Sequence, residues 1–236
     1  MRYLLRYRRR LGDVVGLFPA CKHLRDQGHE VWMETDPAYA DLFHCVDYVR
    51  WQNPYIRPDK PYDRTLDLQI HQPPFGGPRY QQFRMSGRAW RDFVYDHDDI
   101  RAAAWRRPVF TKIDWFNPDD YKLPRDGNYA LLGISGVSQQ QKYSEAKVVA
   151  LARKLYGDVP MAQLSPVPSS TPGIIHCRRL RELPGMIAHP KHCLFINSSP
   201  AWIALGVRES YHHIPQVGTA AQDDSSLPGI SIQVTP

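Results

Sequence analysis

Among its four cysteines, Cys21, Cys45, Cys177 and Cys193, the sequence has no C-x-x-C pair and no spacing of a disulfide framework. A reducing compartment is therefore expected. No apolar run approaches the roughly 18–20 residues that span a bilayer. The stretch from Arg2 to Arg10 alternates apolar and basic residues instead of building the apolar core of a signal peptide. The expectation is a cytoplasmic protein without stable membrane insertion. There is no H-E-x-x-H, no G-x-G-x-x-G and no G-K-[S/T], which removes the zinc-protease motif, the dinucleotide fingerprint and the P-loop. Internal repeats are also lacking, beyond a likeness of one half to the other.

Metal ligation finds little support. His176-Cys177 and His192-Cys193 are adjacent pairs on strand-like segments, where neighbours point to opposite faces. Asp119-Asp120 and Asp96-x-Asp98-Asp99 read as loop and helix-start carboxylates. No metal site is expected.

What is present is an ordinary globular composition, 42% hydrophobic and 23% charged over 236 residues, enough for one large domain or two small ones. The 21 prolines fall largely between elements and suggest ordered loops. A net charge of +6 suits a polyanionic partner such as nucleic acid, anionic lipid or a sugar nucleotide, and is equally met by solubility alone.

The pattern predicts a strand over residues 3–7, a basic loop over 8–12, and a helix from Asp13 carrying Val14, Leu17, Phe18, Cys21 and Leu24, kinked by Pro19 and closed by Gly28. A strand at 30–34, a short helix at 37–43 and strands at 46–51 and 65–68 follow. This order argues for a parallel, doubly wound α/β sheet. Residues 80–95 and 98–105 read as helices, the first rich in arginine and aromatics. A second α/β half runs from Tyr129, with helices at 144–156, 180–187 and 200–205 and strands near 129–132, 159–164, 174–177, 193–196 and 210–214. The expected domains are 1–110 and 128–215, joined by a connection at 111–127 and followed by a tail at 216–236.

Two strand-to-helix junctions carry the chemistry-bearing residues. At the first, Asp13 offers a carboxylate that can accept a proton, with Gly12 leaving room for close approach of a ligand. Aspartate is also a favoured N-cap. Arg8, Arg9 and Arg10 precede it and suit phosphate, or form a solvated charge run. At the second, Asn197, Ser198 and Ser199 precede Pro200; Ser199 as N-cap with proline at the first helical position makes a helix start that offers amides to a phosphate. Gly133, Ser135 and Gly136 form a small-residue turn after a strand, with Lys142 beyond it able to offset a departing diphosphate. Arg84, Arg88 and Arg91, interleaved with Tyr80, Phe83, Trp90, Tyr95 and Trp105, fit either a nucleic-acid surface or an amphipathic helix with a packed aromatic face.

Taken together, Gly12-Asp13-Val14 with its apolar helix, Lys142-Tyr143 after the glycine/serine turn, and the stretch from Leu180 to Val207 resemble the heptosyltransferase-type glycosyltransferases that build bacterial lipopolysaccharide. The departures are Asn197 where the family usually has aspartate, Ser199 in place of glycine, and Trp202 where a histidine is common. The resemblance implies a GT-B fold, two Rossmann-like domains facing each other across a cleft, and inverting transfer from a nucleotide-sugar co-substrate with no other cofactor. Asp13 is then the base. Gly133, Ser135, Gly136, Lys142, Asn197, Ser198 and Ser199 hold the donor, and Gly12, Arg8, Arg10, Arg84, Arg88 and Arg91 meet the acceptor. For that acceptor, compactness, basic charge and the arginine/aromatic segment favour hydroxymethylpyrimidine bases in phage DNA. A lipopolysaccharide or other saccharide is the alternative, and a catalytically silent nucleic-acid-binding protein is a third reading.

Overall fold

The computed structural model describes residues 1–70, 77–134, 144–196 and 198–214, together with the backbone of 231–233. The chain divides into two units, Met1–Lys112 and Ile113–Pro236. Residues 113–127, expected as part of a connection, pack within the second unit. Ile113 and Phe116 pass so close to Gly185 that an added Cβ there would lie 2.3 Å from the Ile113 carbonyl oxygen and 2.8 Å from Phe116 Cβ.

In the first unit, β-prone residues form β1 (Arg2–Arg6), flanked by β2 (Glu30–Glu34) and β4 (Arg64–Asp67), with β3 (Arg50–Gln52) outside β2. All pairings are parallel. The apolar stripe after β1 is two helices instead of one kinked helix: α1 (Leu11–Gly16) and α2 (Phe18–Asp26). Pro19 is the reason. It sits in the first turn of α2, where its missing N–H costs nothing, so the chain ends one helix at Leu17 and starts another. Helix α2 closes as the spacing predicts. Gly28 takes φ 84°, its N–H reaches the Arg25 carbonyl and that of His29 reaches Leu24, a Schellman ending. Val14, Leu17, Phe18, Cys21 and Leu24 are all fully buried. The helix expected at 37–43 is a 3-10 helix over Pro37–Cys45.

The arginine-rich segment also splits, into α3 (Pro78–Ser86) and α4 (Trp90–Val94), because Gly87 caps α3 in the left-handed region at φ 64°. Tyr95, just past α4, donates its hydroxyl to the Gly16 carbonyl at 2.7 Å and ties this segment to α1.

The second unit is built on β5 (Ala130–Gly133), β6 (Met161–Ser165), β7 (Ile174–His176), β8 (His192–Ile196), β9 (Tyr211–Ile214) and β10 (Ser231–Gln233). Their spatial order is β10-β9-β8-β5-β6-β7. Counted from β5, this is the 3-2-1-4-5-6 order of the dinucleotide-binding Rossmann sheet, and the first unit repeats its first four places. Part of the expected tail thus supplies an edge strand, β10, parallel to β9. Helix α5 (Glu145–Tyr156) is capped by Ser144, which accepts the Lys147 N–H, and packs Val148, Leu151 and Ala152 against Leu132, Ile134, Leu194 and Ile196. A 3-10 turn leads into α6 (Leu183–Ala188). Helix α7 (Ser199–Val207) is apolar from Pro200 onward and buries Ala201 to Leu205, as a helix without a polar face should. Among the described residues no helix is long and apolar enough to cross a membrane.

Arg208 fastens this unit together. Its guanidinium donates to the carbonyls of Ile187, Ala188, Pro190, Lys191 and Ser210, satisfying the open end of α6. Replacing it, Arg208→Ala, lowers stability by about 2–3 kcal/mol, seen as a lower urea midpoint at unchanged slope. Tyr156 gives a pH-dependent counterpart. Its ring stacks on His192 at 4.6 Å, and its hydroxyl lies 2.8 Å from both the Cys193 carbonyl and His212 Nδ1. With one proton to give, the phenol donates to the carbonyl and accepts from the imidazole. Burial, reinforced by neighbouring positive charge, holds both histidines below 6.5. Their neutral forms belong to the fold, so this stability is complete above pH 6.5 and is lost as the pH falls below it. The urea midpoint drops between about pH 7.5 and 5.5, and the drop shrinks in His212→Gln.

Candidate active site

In doubly wound sheets ligands bind beyond the carboxyl ends of the strands, where the strand order reverses. The first unit reverses at β1 and β4, the second at β5 and β8. The two junctions singled out in the sequence leave from these strands.

After β1 the chain passes Tyr7 and turns through Arg8 to Arg10. Arg10 takes φ 61° and ψ 103°, a conformation that costs a residue with a Cβ, and stands as N-cap of α1 without a side-chain cap bond. Asp13 is therefore in the first turn of α1 and is not its N-cap. Its carboxyl is 9% exposed, and Tyr7 donates its hydroxyl to Asp13 Oδ2 at 2.6 Å. Tyr7 is itself buried and lies edge-on to Trp90, with ring centres 6.1 Å apart. Burial, then the charge of Asp13, push the Tyr7 phenol well above its ordinary range, while the Trp90 indole N–H and the charge of Arg10 pull it back. The phenol remains a proton donor. Tyr39, on the 3-10 helix, is raised first by burial, then by Asp36 and Asp13. Gly12 is buried in α1 beside Asp13.

Arg8 donates from Nε and Nη2 to Glu34 Oε1 at 2.8 and 2.7 Å, and Arg6 Nε stands 3.5 Å from Glu34 Oε2. The Glu34 side chain is only 7% exposed. This orients Arg8 at the carboxyl end of the sheet while nearly half of its side chain stays open to solvent. Arg84, Arg88 and Arg91 take three separate environments. Arg84 lies over the Phe83 ring, Arg88 pairs with Asp96 at 3.0 Å, and Arg91 is 1% exposed. Arg91 departs from the acceptor role expected of it, because its guanidinium serves the core, donating to the carbonyls of Ala104 and Arg106. Of the aromatics in this segment, Phe83, Trp90 and Tyr95 are also in the core, so the pattern is chiefly that of a packed amphipathic stretch.

In the second unit Gly133 ends β5 opposite Phe195 of β8. A Cβ at Gly133 would fall 2.7 Å from the Phe195 ring, so glycine lets β5 end against that ring, with Pro200 of α7 at ordinary contact distance beside it. The cap of α7 is Ser198, one residue earlier than expected, with Ser199 and Pro200 opening the helix. The Ser198 hydroxyl donates back to the Ile196 carbonyl at 3.1 Å and makes no cap bond. Gly133, Ser198 and Ser199 thus come together at the strand reversal. Ser135, Gly136, Lys142 and Asn197 lie outside the described residues. Trp202 is buried in α7. Among the described residues no group of three or more His, Cys, Asp and Glu is placed to hold a metal ion.

Sequence reasoning missed Tyr7 and Glu34, and read Trp90 without its contact to Tyr7. Tyr7 directly follows β1 and, in the run from Tyr3, reads as strand packing. Its partnership with Asp13 depends on the turn through Arg10, which no spacing rule announces.

No protein-family model matches the chain, and no curated protein matches it either. Solved structures do. TibC, described as an iron-containing dodecameric glycosyltransferase from enterotoxigenic E. coli H10407, aligns over 94% of this chain and 62% of its own at 16% identity, TM-score 0.66. E. coli ADP-heptose lipopolysaccharide heptosyltransferase II aligns over 99% and 90% at 12% identity, TM-score 0.68. A family 9 glycosyl transferase from Veillonella parvula DSM 2008 aligns over 100% and 86% at 9% identity, TM-score 0.53. The chain spans about 60% of the length of the TibC chains it matches. At these identities the likeness is one of architecture: this chain has the α/β fold of the heptosyltransferase-type, GT-B glycosyltransferases.

Proposed function

We propose that the protein transfers a sugar from a nucleotide-sugar donor to a hydroxyl of a saccharide acceptor. The observation that carries this is Asp13, nine-tenths buried and hydrogen-bonded by the Tyr7 phenol where the first sheet reverses. In the reaction Asp13 removes the acceptor proton as that oxygen bonds to the anomeric carbon. The bond from that carbon to the nucleotide diphosphate breaks, and the diphosphate leaves with the electron pair. Direct displacement of this kind inverts the anomeric carbon. In the second unit the start of α7 at Ser198 and Ser199, with Gly133 beside it, holds the diphosphate through backbone amides. Ser135, Gly136, Asn197 and Lys142 complete this donor site in the same reading. Arg8 and Arg10, in the turn before Asp13, meet anionic groups of the acceptor, and Arg84 and Arg88 keep the same role in this reading.

An ADP-linked sugar is the donor to try first, since the TibC structure is described in complex with ADP-D-beta-D-heptose and that of E. coli WaaC with ADP. A lipopolysaccharide-type saccharide is the favoured acceptor, because heptosyltransferase II, of like fold, is described as a lipopolysaccharide enzyme. The DNA reading expected from the sequence loses its main argument. Arg91 and three of the aromatics that would have stacked on bases are in the core.

The test is to incubate the protein with ADP-heptose and heptose-deficient lipopolysaccharide core, in parallel with hydroxymethylpyrimidine DNA, and weigh the products. A core heavier by one heptose supports the reading. A heavier nucleoside returns the acceptor to DNA, and unchanged products for both, with ADP binding intact, argue against this donor and acceptor pair. Asp13→Asn lowers turnover by at least about 100-fold. Saturable thermal stabilisation by ADP is retained in that variant.

A further inference from the structure

We infer that Tyr7 is a positioning residue for the Asp13 carboxylate, restraining its orientation and favouring its ionised form. The inference rests on Asp13 serving as the base.

Asp13 stands on a firmly set piece of backbone. Helix α1 is six residues long and buries Gly12 to Gly16. The turn feeding it passes through Arg10 in a costly conformation, which persists only where surrounding contacts hold it. The Asp13 side chain still has its own torsions, and a base must aim within a fraction of an ångström. Tyr7 restrains those torsions from the sheet. It directly follows β1, its N–H is bonded to the Glu34 carbonyl at 3.0 Å, and its ring is 1% exposed against Trp90. The phenol therefore has one place to go, and that place is 2.6 Å from Asp13 Oδ2. A short bond from a buried hydroxyl to a carboxylate is charge-assisted and directional. It restrains rotation of the carboxyl about its last torsion through Oδ2.

The charge of Asp13 is felt by Tyr7 at the end of β1, where Arg10 opposes it, and by Tyr39 on the 3-10 helix, where Asp36 adds to it. Tyr7 is bonded to the carboxyl itself. A donor to the charged form of an acid favours that form. Removing the phenolic oxygen must therefore make Asp13 harder to ionise. Tyr7 keeps its own proton throughout, because burial and the adjacent carboxylate both oppose its ionisation. It orients the base without exchanging protons with the substrate.

Tyr7→Phe removes one oxygen and leaves the ring against Trp90. Two measurements test the inference. In the first, the Asp13 carboxyl carbon is followed by NMR across a pH titration of the full-length protein, a readout that needs no activity. Asp13 titrates at higher pH in Tyr7→Phe than in the parent protein. In the second, with sugar transfer as the assay, kcat falls about tenfold at little change in KM, the equivalent of one charge-assisted hydrogen bond. The acid limb of kcat/KM moves to higher pH by the same step. Unchanged titration of Asp13 overturns the inference, and so does a shifted titration with parental kinetics. Failure of the base assignment is told apart by Asp13→Asn: if that variant turns over normally, the underlying reading falls irrespective of what Tyr7 does to the titration.

Discussion

A carboxylate taken nine-tenths out of water costs several kcal/mol unless something hydrogen-bonds to it, and in the first unit the Tyr7 phenol does so. Much of that unit is arranged around this one contact. Strand β1 delivers Tyr7, Trp90 of α4 closes over its ring, and Tyr95 ties the same segment to the end of α1 through the Gly16 carbonyl. The arginine-rich stretch, conspicuous in the sequence for its charge, contributes here chiefly through its aromatics.

The second unit meets a different constraint, closeness of backbone. At Gly133 the Phe195 ring occupies the space where a Cβ would go, and Pro200 is at ordinary contact distance. The end of β5 and the start of α7 stand side by side where the sheet reverses, the place where doubly wound sheets bind ligands. Each unit thus carries its chemistry-bearing residues at the same place in the same strand order, one offering a carboxylate and the other a helix start and close backbone.

The structure corrects the sequence reading where local signals had more than one outcome. Pro19 was expected to kink a helix and instead opens a new one, because a proline in the first turn loses no hydrogen bond. Gly87 stops α3 where charge and aromatic spacing had suggested continuity. Ser198 and Ser199 are equally good caps by type, and the backbone places the cap at Ser198. Arg91 reads as a surface charge until the carbonyls of Ala104 and Arg106 are seen around it.

The sequence by itself determined the alternation of strands and helices, the parallel α/β class, and both strand-to-helix junctions, with Asp13 at one and Ser198 and Ser199 at the other. These follow from periodicity, from glycine and proline placement and from the helix-start preferences of serine, all of which act within a few residues. Only the tertiary structure decided that Tyr7 serves Asp13, that Glu34 holds Arg8, that Arg91 belongs to the core and that residues from Ile113 onward pack with the second unit. Those outcomes depend on turn conformation and on contacts between segments distant in the chain, and local preference carries no record of which side chains such turns bring within hydrogen-bonding distance.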